Sequence, residues 1–115
     1  MRDPRGGARP GLDRLRDELD DDEAVARFVD RYLTLLDERL RLLGDAIAAG
    51  RVEDGITLLL TLETSSHMVG ADDLSLRAAA LRLALGQGQA DTARLHGELI
   101  RAGRRARDIL LRPQA

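Results

Sequence analysis

Seven apolar residues, Val25, Val29, Tyr32, Leu36, Leu40, Leu43 and Ile47, recur at intervals of three and four. That spacing places all seven on one face of an α-helix of about seven turns, with the charged residues between them turned to water. Such a stripe is stable only when other elements cover it, so the rest of the chain must supply its partners. Upstream, Asp20 and Glu23 have capping-box spacing, and downstream Gly50 is placed to end the helix. The next helix is predicted from about Val52 to Val69, with Val52, Ile56, Leu59, Leu62, Ser66 and Val69 facing inward. Gly70 breaks it, and Asp72 starts another that carries Leu74, Ala78, Leu81 and Leu85 to the loop "GQGQ". Asp91 is placed to cap a last helix burying Leu95, Leu99, Ala102, Ala106 and Ile109. Before all of these, "GLDRLRDELDDDE" offers a short helix with Leu12, Leu15 and Leu19 on one face. Short connections between long amphipathic helices predict an all-α, antiparallel up-and-down four-helix bundle with a short extra N-terminal helix.

Composition narrows the function. The chain has 115 residues, within the range of one domain. Residues 1–10 read as a disordered leader, and 11–112 as the bundle. Only 2% of residues are aromatic, so the core must be built from Leu, Ala, Val and Ile. With no cysteine there are neither disulfides nor thiolate metal sites. No apolar run approaches the ~18 residues that span a bilayer, and no apolar segment follows the charged start. No membrane association is expected, and a cytoplasmic location is. A net charge of −2 gives no global attraction for nucleic acid. The basic cluster "RAGRRAR" has no aromatic stacking residues beside it, so nucleic acid is not an expected partner. "GQGQ" follows no strand and is no phosphate cradle. The two histidines, His67 and His96, lie on different helices without metal-ligand spacing, and His96 reads as a half-buried packing residue. No Ser/His/Asp constellation is apparent. Neither enzyme activity, a metal nor a cofactor is expected.

The informative surface is the side of the Val52–Val69 helix opposite its core stripe. Steps of four and three from Glu53 give Thr57, Leu60, Thr64 and His67. Four of these five are polar, as a solvated face requires, and Leu60 stands among them. Taken alone, one exposed Leu is ordinary.

From about Leu12 to Leu111 the chain resembles a histidine-containing phosphotransfer (HPt) domain, the four-helix carrier of bacterial phosphorelays. "RFVDRYLTLLDERLRLLGDAIAAG" looks like the family's second helix and its Gly-ended turn. "SSHMVGADDL" supplies Ser65, Ser66, Val69, Gly70, Ala71 and Leu74 at the later positions of the family signature. In that register Leu60 occupies the phosphoaccepting position. Leu62 matches the family Leu, Glu63 stands where the family has Lys, and Thr64 stands where it has Gly.

The resemblance therefore implies the scaffold without its chemistry. A relay His attacks an aspartyl phosphate through an imidazole nitrogen, and Leu60 has no nucleophile. A Lys one turn along would steady the transferring group, whereas Glu63 adds like charge. Thr64 fills space that a Gly leaves open. His67 lies about 10 Å further along the helix, near a C-terminus whose dipole disfavours phosphate. The expected role is a non-phosphorylatable pseudo-HPt protein, monomeric, that docks a response-regulator receiver domain or a histidine kinase. Glu53, Thr57, Leu60, Glu63, Thr64 and His67 would form the docking surface. Two alternatives are an active phosphocarrier using His67 and a structural helical module that self-associates.

Overall fold

The computed structural model describes residues 10–112. Most of the expected leader lies outside them, although Pro10 opens a 3-10 turn, Pro10–Leu12. Five α-helices follow: α1 (Asp13–Leu19), α2 (Asp22–Ala48), α3 (Val52–Met68), α4 (Asp72–Gly86) and α5 (Thr92–Leu111). The chain is an all-α, up-and-down arrangement in which α2 to α5 pack tightly and α1 is attached more loosely, a four-helix bundle with an extra helix. α3 and α4 form the most closely packed pair.

The core is aliphatic, as the composition requires. Leu36, Leu43, Leu59, Leu62, Leu74, Leu81 and Leu99 are all fully buried. Small residues let the helices approach. A Cβ on Gly55 would meet Leu85 at 3.3 Å, and one on Gly103 would meet Leu40 at 3.0 Å. Tyr32 and Ser66 place a polar contact in this interior, with Oη and Oγ 2.8 Å apart. Both residues are buried, so one hydroxyl donates to the other where water cannot reach.

α1 is held at one end of the bundle by two different devices. Leu12 and Leu15 are buried, while Arg14 donates to the carbonyl of His67 at 2.7 Å and to both carboxylate oxygens of Asp72. Beneath them Gly11 lies directly on Gly70, whose φ of +77° forms the turn between α3 and α4. A Cβ on Gly11 would come within 2.7 Å of the Gly70 Cα. Both glycines are therefore needed for the approach itself, and Gly70 for its backbone conformation too.

Five local expectations are corrected. The cap of α2 is Asp21, whose side chain accepts from the N–H of Glu23, and not Asp20. Asp20 instead ends α1 in the left-handed conformation, φ +51°, with its N–H on the Arg16 carbonyl. Val52 does not face the core but is exposed, because it is the first residue of α3, at the open end of the bundle. On α5 Ile109 is exposed and Leu110 buried in its place. From Leu99 and Ala106, a step to residue 110 stays nearer the centre of the stripe than a step to 109. Leu19 on α1 is also exposed, while Leu12 and Leu15 are buried as expected. Asp91 sits at the N-cap position of α5, but its carboxylate pairs with Arg94 at 2.6 Å and makes no cap bond.

Candidate functional site

Because α3 buries Gly55, Leu59, Leu62 and Ser66, its opposite side must look outward between α2 and α4. Glu53, Thr57, Leu60, Thr64 and His67 are all exposed on that side. Leu60, 47% exposed, lies near the helix midpoint with polar residues one turn away on either side. Further along, Thr61 and Ser65 turn their hydroxyls back onto the carbonyls of Thr57 and Thr61, at 3.3 and 2.8 Å. Their protons are therefore committed within the helix.

Glu63 is placed differently from the other five candidates. It lies on the flank facing α4, half-buried, and one carboxylate oxygen accepts from Nε and Nη2 of Arg82 at 3.2 and 3.1 Å. Ser75 on α4 donates to the Glu63 carbonyl at 2.8 Å, adding a second tie between the same two helices. Part of the Glu63 charge is neutralised by this pairing, so its repulsion of an incoming anion is weaker than the sequence alone implies. Arg82 could not have been found from periodicity, because it is separated from Glu63 by a helix-helix turn.

His67, in the last turn of α3, has its Nδ1 3.6 Å from an Asp72 oxygen, an ionic contact and not a hydrogen bond. Arg14 holds the Asp72 carboxyl below the usual carboxylate range by hydrogen bonding to it. The imidazole thus stands beside a fixed anion at the carbonyl end of a helix, surroundings that disfavour a second anion there. His96 is half-buried on α5, as expected of a packing residue, and its Nε2 has no hydrogen-bond partner among the described residues. Burial pushes its pKa below the ordinary value. Among the described residues no group of His, Cys, Asp or Glu is arranged to hold a metal ion, and no helix is long and apolar enough to cross a membrane.

The molecule is thus a small helical bundle with an exposed, mostly polar helix face and one large apolar side chain near its centre. No protein-family model, curated protein or solved structure matches this chain, so its functional reading rests on this geometry and on the motif residues themselves.

Proposed function

We propose that the chain is a cytoplasmic signalling module of the HPt type that has given up phosphotransfer and docks a receiver domain or a histidine kinase through the outer face of α3. The observation that carries this reading is Leu60, an exposed apolar residue at the phosphoaccepting register on an otherwise polar helix face. Four packed up-and-down helices, with Gly70 at the turn after α3, support the same reading. Glu53, Thr57, Thr64 and His67 surround Leu60, and Glu63 borders them from the α4 side. A module that occupies a receiver or kinase without accepting phosphate would compete with an active carrier or sequester its partner.

The test is a titration of the protein against receiver and kinase domains, with Leu60→Asp alongside. If Leu60 becomes buried on binding, its side chain contributes roughly 1.5–3 kcal/mol, enough to dominate a small transient interface. Leu60→Asp removes that contribution and should abolish binding. Its own melting transition should shift by no more than about 0.5 kcal/mol equivalent, because the side chain is exposed in the free protein. Incubation with an acyl-phosphate-charged receiver should leave the chain unphosphorylated. Base-resistant, acid-labile phosphate on His67 would establish an active carrier instead.

A further inference from the structure

The chain contains one Phe and one Tyr, and both line the same groove between α2 and α3. Phe28, Tyr32 and Leu35 form its apolar side and Thr61 and Ser65 its α3 side, with Arg31 and Arg39 completing it. The groove has a volume of about 170 Å³. Thr61 directly follows Leu60 in the chain, so the groove adjoins the face described above.

Two features set this groove apart. Most arginines whose heads lie near the bundle surface are tied to carboxylates, as Arg14 is to Asp72, Arg77 to Glu98, Arg82 to Glu63 and Arg107 to Asp37. The guanidinium groups of Arg31 and Arg39 have no ion pair or hydrogen bond among the described residues. Meanwhile the hydroxyls in or beside the groove are already engaged in hydrogen bonds. Thr61 and Ser65 donate to helix carbonyls, and the Tyr32 hydroxyl is engaged with Ser66. The full positive charges facing a negative group that enters the groove are those of the two guanidinium groups, eight residues and about 12 Å apart along α2. An apolar group entering beside it meets the Phe28 ring and Leu35. Arginine and aromatic side chains around a small apolar recess are the composition of an interface hot spot.

We propose that this groove is the second half of the docking surface and that it selects a protein partner presenting carboxylates beside an apolar side chain, with Arg31 and Arg39 holding the carboxylates. This rests on the docking reading of α3 and adds to it the charge of the partner. On a chain whose net charge is −2, a local cationic groove steers an acidic surface toward this side of the bundle and leaves the rest repulsive.

The experiment measures the affinity of the full chain for the receiver or kinase domain that binds it, at low and at physiological salt. Four proteins are compared: wild type, Leu60→Asp, the double variant Arg31→Ala with Arg39→Ala, and Arg104→Ala. Arg104 serves as a control because it is exposed on α5 and likewise has no ion pair among the described residues. The double variant should weaken binding about tenfold or more at low salt, mostly through slower association, and flatten its salt dependence. Arg104→Ala should change affinity less than about twofold. If Leu60→Asp abolishes binding while the arginine double variant binds like wild type, the docking face stands and the acidic-partner inference is overturned. If no receiver or kinase domain binds wild type, both readings fall. A concentration-dependent mass that the double variant abolishes would make the occupant a second copy of this chain, which also overturns the inference.

Discussion

Gly70→Ala tests how α1 is fastened to the bundle, because the fold supplies its own controls. Gly50, Gly70 and Gly88 each end or follow a helix with positive φ, at +72°, +77° and +65°. An alanine in that conformation costs about 1 kcal/mol relative to glycine at any of the three. Around Gly50 and Gly88 a new Cβ would meet nothing within 4 Å, so the backbone effect should be the whole loss there. At Gly70 the same atom would overlap the Gly11 Cα, carbonyl carbon and oxygen. Backbone cannot swing aside as a side-chain tip does, so the segment from Gly11 to Leu15 has to lift. Lifting exposes Leu12 and Leu15, now 2% and 0% exposed, each worth roughly 1.5–3 kcal/mol when fully buried. The chain entropy regained by the freed segment offsets part of that. The net expectation is a loss of about 2–4 kcal/mol for Gly70→Ala against about 1 kcal/mol for Gly50→Ala and Gly88→Ala. Urea denaturation of the three variants gives the comparison, and amide hydrogen exchange in α1 shows where the difference arises. Equal losses at all three glycines, or unchanged protection in α1, would refute the fastening role of the Gly11–Gly70 contact.

Other parts of the fold make equally specific demands. Tyr32→Phe strands the buried Ser66 hydroxyl and should cost about 1–3 kcal/mol; Ser66→Ala should do the same to Tyr32, and the double variant should lose clearly less than the sum, whereas strict additivity in thermal melts would mean the 2.8 Å contact contributes nothing. Leu59→Ala should cost about 2–5 kcal/mol, read by urea midpoint, because Leu59 is fully buried where α3 meets the core. The pKa of His96 is lowered by burial, so the unfolded chain takes up the proton first. Its contribution to stability is therefore present above the ordinary imidazole pKa of about 6.5 and is lost as pH falls from there toward the lower folded value. His96→Gln should flatten that part of the stability-pH profile, and an unchanged slope would place its origin elsewhere.

Periodicity alone fixed the number, order and approximate limits of the helices, because a stripe at three- and four-residue spacing has one helical solution and Gly50 and Gly70 punctuate it. It also placed Leu60 and His67 on one outward face, since both follow from local helix geometry. The errors at Val52, Ile109 and the α2 cap fall at helix ends, where a residue's burial depends on how far its neighbour extends and not on its own spacing. Tertiary packing decided what no local pattern encodes. It paired Glu63 with Arg82 and so reduced a charge that the sequence presents as free. It brought Gly11 onto Gly70 across 58 intervening residues of chain, an approach possible only because neither carries a Cβ. It also gathered Phe28 and Arg31 from α2 and Ser65 from α3 around one groove, because antiparallel helices bring into contact residues that a helical wheel can assign only to separate flanks.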